Sequence, residues 1–280
     1  MFLQTARRKI PLGKPLAMGI INATPDSFSD GGKFFSVDDA LRQAEKLVDE
    51  GADILDIGGE STRPKSARVS AEDESVRVVP VVEAIATRFD IPISIDTTKA
   101  EVAENAIAAG AEIINDISGL RFDSRIGDVA ASHGAGLVLM HSRGTFETMH
   151  DQPPVRDILA EVASDFRRST SAARSSGVQD GQIALDVGIG FSKTLEQNLE
   201  LLAKLDKLVQ EFPEFPMLVG TSRKSFIGKI LGNSPPEERL AGSLASVAVA
   251  VWNGAKIVRV HDVKATVETL KIVDAIKLLM

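Results

Sequence analysis

Short apolar runs rich in β-branched residues recur eight times along the chain, each followed by a longer stretch of helical periodicity. Few folds tolerate that pattern. A strand apolar at nearly every position must be covered on both faces, and a helix after each strand supplies the cover. The alternation therefore calls for a parallel sheet wrapped by helices. The runs fall at 17–21, 54–57, 93–95, 113–114, 137–140, 183–185, 217–219 and 257–260, and an eighth helix ends the chain. Ser36 precedes a helix over 37–50, and Ser70 with Asp73 three residues on resembles a capping box ahead of 72–88. Gly51, Gly110, Gly177 and Gly254 follow helical runs and are read as their left-handed ends.

The same alternation would suit an open doubly wound sheet, and the residues at the strand ends distinguish the two. Polar residues stand just past, or at the end of, one apolar run after another: Asn22, Asp56, Asp96, Asn115 with Asp116, His141, Asp186, Ser222 with Lys224, and Arg259 with His261. An open sheet collects ligands only at its switch point, whereas a barrel brings every strand's C-terminal end to one mouth. The distribution predicts a (β/α)8 TIM barrel. The length of 280 residues fits one such domain over 1–280, with no low-complexity linker.

Composition removes several classes. Apolar residues make up 44% and charged residues 25%, the balance of a globular core, and no stretch approaches the roughly 20 apolar residues of a membrane span. Arg7, Arg8 and Lys9 are followed by no apolar run, so the N-terminus lacks the order of a secretory signal and a cytoplasmic location is expected. With no cysteine, any metal must sit on oxygen or histidine; a net charge of −7 speaks against a nucleic-acid partner.

At the mouth of such a barrel, aspartates and asparagines suit a polar heterocycle with several N–H donors, since a carboxylate accepts two parallel bonds from a guanidine-like edge. Arg63, Lys224, Arg259 and His261 suit anionic groups. Asp56 and Asp116 are read as turn formers or helix caps, His133 and His150 as ordinary surface residues, and 144–154 as a long loop. No covalent nucleophile with an adjacent base is evident, which favours electrostatic catalysis.

Three loops are more specific: Asn22-Ala-Thr-Pro-Asp-Ser-Phe-Ser-Asp-Gly-Gly32, Gly58-Gly-Glu-Ser-Thr-Arg-Pro64 and Thr221-Ser-Arg-Lys-Ser-Phe226. With Ser94-Ile-Asp-Thr97, Ile114-Asn-Asp-Ile117, Asp186 to Lys193 and Arg259-Val-His-Asp262 in the same order, the chain resembles the dihydropteroate synthases from about Met18 to the last helix. The resemblance implies a transferase of folate synthesis. Such an enzyme condenses 6-hydroxymethyl-7,8-dihydropterin pyrophosphate with p-aminobenzoate, the step sulfonamides target, giving 7,8-dihydropteroate and pyrophosphate.

It further implies a pterin site of Asp96, Asn115, Asp186 and Lys224, and a pyrophosphate site of Asn22, Arg63, Arg259 and His261. Mg2+ would sit on Asn22 and Asp30. The p-aminobenzoate site would comprise Phe28, Thr62, Arg63, Pro64, Phe191 and Ser222, with Lys193 and the stem of Lys224 in the standing wall. Asp96, Lys224, Arg259 and His261 are the implied catalytic groups. A homodimer through the late helices is implied too, and helix 237–253 is rich in small residues. Val187 and Ile189 stand where the family commonly has Pro and Phe, and Val187 is expected to loosen the turn that proline stiffens before Phe191. Two alternatives are a methyltetrahydrofolate:corrinoid methyltransferase and a non-catalytic pterin-binding paralogue. The first has little use for Ser222-Arg-Lys-Ser225, and the second needs no pyrophosphate site.

Overall fold

Helix starts are set by side chains that accept a backbone N–H left without a partner in the first turn. Ser36 accepts from Asp39 N at 3.1 Å and Ser70 from Asp73 N at 3.0 Å, as expected. Asp157 and Thr194 do the same for Ala160 N and Gln197 N. Each such cap is worth about 1 kcal/mol. At the other ends, Gly51, Gly110, Gly177 and Gly254 all have positive φ.

The computed structural model describes residues 1–24, 36–64 and 66–279. The chain opens with an antiparallel hairpin, β1 (Phe2–Gln4) and β2 (Lys9–Pro11). Strands and helices then alternate: β3 (Leu16–Asn22), α1 (Val37–Asp49), β4 (Ile54–Gly58), α2 (Ala71–Arg88), β5 (Ile93–Asp96), α3 (Ala100–Ala109), β6 (Ile113–Asp116), α4 (Arg125–His133), β7 (Gly136–Met140) and α5 (Ile158–Ser175). They continue with β8 (Ile183–Asp186), α6 (Leu195–Ala203), α7 (Leu205–Glu211), β9 (Met217–Val219), α8 (Ser225–Ile230), α9 (Leu240–Trp252), β10 (Ile257–Val260) and α10 (Val263–Lys277).

All eight expected strands form, and they close: β3 to β10 pair in parallel in chain order, and β10 returns to β3 with Ile257 opposite Leu16 and Arg259 opposite Met18. The sheet is a barrel and not an open doubly wound sheet.

The barrel interior is layered. Leu16, Met18, Ile54, Ile113, Val138, Ala184, Leu218 and Ile257 form one buried apolar cluster with Leu3, Ile10 and Leu12. The last three come from the hairpin and the segment after it, so the N-terminus plugs the bottom of the barrel. The remaining strand residues pack outward on the helices in a larger cluster. Successive side chains alternate between faces, so the residue two places beyond an inward apolar one is also inward. Ile54 leads to Asp56, Ile113 to Asn115, Ala184 to Asp186 and Ile257 to Arg259. A polar layer therefore lies directly above the apolar one, at the C-terminal end. No helix among the described residues is long and apolar enough to cross a membrane.

Candidate active site

Arg259 is the centre of the polar layer. Its Nε donates to Asp56 Oδ2 at 2.5 Å and its Nη2 to Asp96 Oδ2 at 2.7 Å. The Asp56 side chain is wholly buried and also accepts from Asn115 Nδ2 at 3.3 and 3.5 Å. Asp56 is thus not the turn former expected of it: its strand position aims it inward, where it joins β4, β6 and β10. Burial works against the charge on Arg259, but Asp56 and Asp96 outweigh it and hold the guanidinium protonated. Burial also pushes the Asp96 carboxyl up to about 7, opposed by Arg259 and reinforced by Asp56. Three strands far apart in sequence thus hold two carboxylates and one cation in contact.

Asp186 and Lys224 form the opposite wall. Asp186 Oδ1 accepts from Gly188 N at 2.7 Å, and its pKa is raised by burial against the attraction of Lys224. Lys224, at the N-cap of α8, donates from Nζ to Ile189 O at 2.5 Å, and that Nζ lies 5.0 Å from the centre of the Phe191 ring. Burial lowers its pKa to about 8, opposed chiefly by Asp186. Ser222 Oγ accepts from His261 N at 3.2 Å and meets His261 Nδ1 at 3.1 Å. His261 was grouped with the cations on sequence. Burial, with help from Arg259, lowers its pKa to about 4, so in the unliganded site the imidazole is neutral at neutral pH.

Asp116 does behave as a turn former. Its oxygens accept from Ser118 N at 2.8 Å and Leu120 N at 2.6 Å, bracing a loop in which Leu120 has a φ of 66°.

Lys193, expected in the standing wall, pins the turn that carries Phe191. Its Nζ donates to Gly188 O at 2.8 Å and Phe191 O at 2.9 Å and pairs with His141 Nδ1 at 2.9 Å. Burial drives the Lys193 ammonium pKa well down, and burial together with the Lys193 charge lowers that of His141 to about 2. The turn was expected to be loosened by Val187, with Ile189 as a second departure from the family pattern. Both side chains are fully buried, and the three Lys193 bonds brace the turn where proline is absent.

Asn22 is half-buried at the end of β3, and Thr62, Arg63 and Pro64 lie on the loop after β4, with Arg63 and Pro64 exposed. Phe28 and Asp30 lie outside the described residues. Two features were missed on sequence. Arg223, inside the Thr221 to Phe226 motif, is a brace: its guanidinium forks onto Asp262 at 3.0 and 2.5 Å, tying the β9–α8 loop to the start of α10. His150 is not an ordinary surface residue, since it is half-buried and bonded to the β4–α2 loop. Its segment is also more than a long loop: Phe146 and Met149 are buried against Ile117 and Met140. His133, by contrast, sits on the surface and pairs with Glu104 at 2.9 Å, as expected.

A closed parallel barrel whose mouth sets carboxylates and amides beside buried cations is the architecture of a pterin-binding enzyme. The profile of the family described as "Pterin binding enzyme" matches residues 18–261, and the chain belongs to that family. Within it, the chain is 48% identical over 275 residues to the dihydropteroate synthase of Synechocystis sp., covering 95% of this chain and 94% of that one. The crystal structure of Yersinia pestis dihydropteroate synthase in complex with a sulfonamide drug is similar at a TM-score of 0.93 and 44% identity, over 99% of this chain and 100% of that one. Xanthomonas albilineans dihydropteroate synthase with 4-aminobenzoic acid gives 0.91 and 41% over 99% of both chains. The chain is a member of the dihydropteroate synthases, transferases of folate biosynthesis.

Proposed function

We propose that this chain condenses 6-hydroxymethyl-7,8-dihydropterin pyrophosphate with p-aminobenzoate, as a single pterin-binding barrel domain over 1–280. The observation that carries the assignment is the polar layer itself. Asp56, Asp96, Asn115 and Arg259 form one contiguous network one step above an apolar floor, with Asp186 in the same layer. Asp96, Asn115 and Asp186 accept from the pterin N–H groups, and Lys224 donates to its ring acceptors. The Arg259 guanidinium rests on Asp96 as a pterin's guanidine-like edge would. Pterin binding therefore has to displace the Nη2 bond, which frees one end of Arg259 for the pyrophosphate while Nε stays on Asp56.

Asn22, Arg63 and His261 complete the anion site. Thr62, Pro64, Phe191 and Ser222 line the arylamine slot, together with Phe28, which lies outside the described residues. The bond from the exocyclic methylene to the pyrophosphate oxygen breaks and takes its electron pair with the leaving group. Asp96 steadies the positive charge left on the pterin, the arylamine nitrogen forms the new C–N bond, and that nitrogen gives up a proton. The reading is of a dissociative substitution; strictly concerted kinetics, with no pterin cation trapped beside bound pyrophosphate, would count against it.

Mg2+ belongs to the same proposal. Among the described residues no group of three or more His, Asp or Glu could hold an ion, and Asn22 offers a single carboxamide oxygen. That donor set fits an ion that keeps its waters and is held mainly by pyrophosphate, with Asp30 as the further ligand. When bound, Mg2+ would neutralise charge on the departing pyrophosphate.

A cytoplasmic homodimer completes the reading. Val249 and Trp252 of α9 and Ile272 and Ile276 of α10 are all between 45% and 65% exposed, the apolar surface two copies would share; sedimentation analysis tests the dimer. The location rests on the folate-pathway chemistry. Purified protein given Mg2+ and both substrates should release pyrophosphate in step with dihydropteroate. Pterin binding with no product would replace this reading with that of a non-catalytic paralogue.

A further inference from the structure

The loop after β4 carries Thr62, Arg63 and Pro64, and its two ends are tied down firmly. Glu60 Oε1 accepts from Val69 N at 2.5 Å and Glu60 Oε2 from Lys99 Nζ at 2.9 Å, and Lys99 is held in turn by the buried Glu74. What holds the tip is a different element. His150, on the segment between β7 and α5, donates from Nε2 to the carbonyl of Thr62 at 2.8 Å. Its ring is stacked on Phe191, with centroids 5.4 Å apart and planes 28° apart. The segment has a rigid footing, because Met149 is buried beside His150 and its carbonyl accepts from Ser192 Oγ. A second contact lies nearby, where the Arg68 guanidinium sits 5.4 Å from the centre of the Phe146 ring.

We propose that His150 is a positioning residue of the arylamine site: it fastens the β4–α2 loop to Phe191, so that Thr62, Arg63 and Pro64 face the ring that Phe191 supports. The proposal rests on the assignment of that slot to p-aminobenzoate. One side chain joins the β4–α2 loop to Phe191 through two contacts of different kind, a directional hydrogen bond and a ring face. An imidazole supplies both from a single rotamer. His150 touches neither the Asp56, Asp96 and Arg259 network nor Lys224, so its effect should fall mainly on the arylamine, the pyrophosphate sharing only Arg63 of the fastened loop.

His150→Ala should raise the KM for p-aminobenzoate about tenfold, the scale of one lost hydrogen bond and stack. The KM for the pterin pyrophosphate should rise less than that for p-aminobenzoate, because the loop lends that substrate Arg63 alone, and kcat should change less than about twofold. His150→Gln keeps a donor for the Thr62 carbonyl but lacks the ring, and should fall between Ala and the parent. Amide hydrogen exchange over residues 61–69 in the substrate-free protein gives a readout independent of turnover, and should speed up in the Ala variant and less so in the Gln variant. Unchanged exchange, or equal rises in both KM values, would overturn the role of His150. Should the parent make no dihydropteroate, the functional assignment fails and the exchange alone decides the fastening.

Discussion

Replacing Arg259 by Met removes a cation bonded to both Asp56 and Asp96 while keeping most of the side-chain volume. The Asp56 side chain is fully buried and that of Asp96 is 14% exposed, so neither carboxylate can turn fully to water. After the change Asp56 keeps, among the described residues, only Asn115 Nδ2, at 3.3 and 3.5 Å. Breaking a buried ion pair from one side costs about 3–5 kcal/mol. The barrel mouth admits water and Asp96, already pushed up to about 7, can take a proton, so the lower end of that range applies. At about 2–4 °C per kcal/mol for a chain of this size, melting should fall by about 6–12 °C at pH 8.

The penalty depends on pH. Losing the cation raises the folded-state pKa of Asp96 further above its ordinary 3.8, so the penalty is fully present above the raised pKa and fades as pH falls through it. The gap between variant and parent should therefore narrow between pH 8 and pH 5. The double variant D56N/R259M removes the stranded charge and should recover all but about 1 kcal/mol, while pyrophosphate release stays lost in both variants. Thermal melts across pH decide it. If R259M melts within about 2 °C of the parent at pH 8, or the double variant is no better than the single, the coupling described for this network is wrong.

Gly188 has a φ of 66°, and a β-carbon there would lie 2.0 Å from the carbonyl oxygen of His141, so G188A should destabilise by more than about 3 kcal/mol in a denaturant melt. K193M strips the bonds to Gly188 O, Phe191 O and His141 and should cost about 2–4 kcal/mol while raising the KM for p-aminobenzoate; an unchanged KM would detach Lys193 from the placement of Phe191. Burial holds the Lys224 pKa near 8, so its charged form disappears above that pH and kcat/KM for the pterin substrate should decline from pH 8 upward; a flat profile to about pH 9.5 removes the ammonium from the pterin site. The stability sign is opposite: between 8 and the ordinary 10.5 the unfolded chain holds the extra proton, so the contribution of this group to stability rises with pH across that window.

Much of this protein is written locally. Eight apolar runs, the caps at Ser36 and Ser70 and the polar residues past the strands are readable because strand, cap and turn chemistry act within a few neighbours. The alternation of side chains along a strand even predicts which polar residues face inward once the barrel is assumed. The loop motifs identified the family because a rare string of glycines and polar residues needs no geometry to be recognised.

What the local pattern could not decide is which groups meet. Arg259 and Asp56 are 203 residues apart, Lys193 and His141 are 52 apart, and His150 and Thr62 are 88 apart. Each pair is brought together only by closure of the sheet and by the packing of one loop on another. Burial, which turns Asp56 from a turn former into an anchor and lowers the pKa of His261 and Lys193, is likewise a property of the assembled barrel. The N-terminal hairpin has strands of three residues each, too short to carry a periodic signal, and its apolar side chains acquire meaning only at the open bottom of the barrel they fill. Sequence by itself determined the elements and the kinds of chemistry at the mouth. Tertiary structure decided the partners and the charge states, because both depend on distance and on exclusion of water, which a linear pattern does not carry.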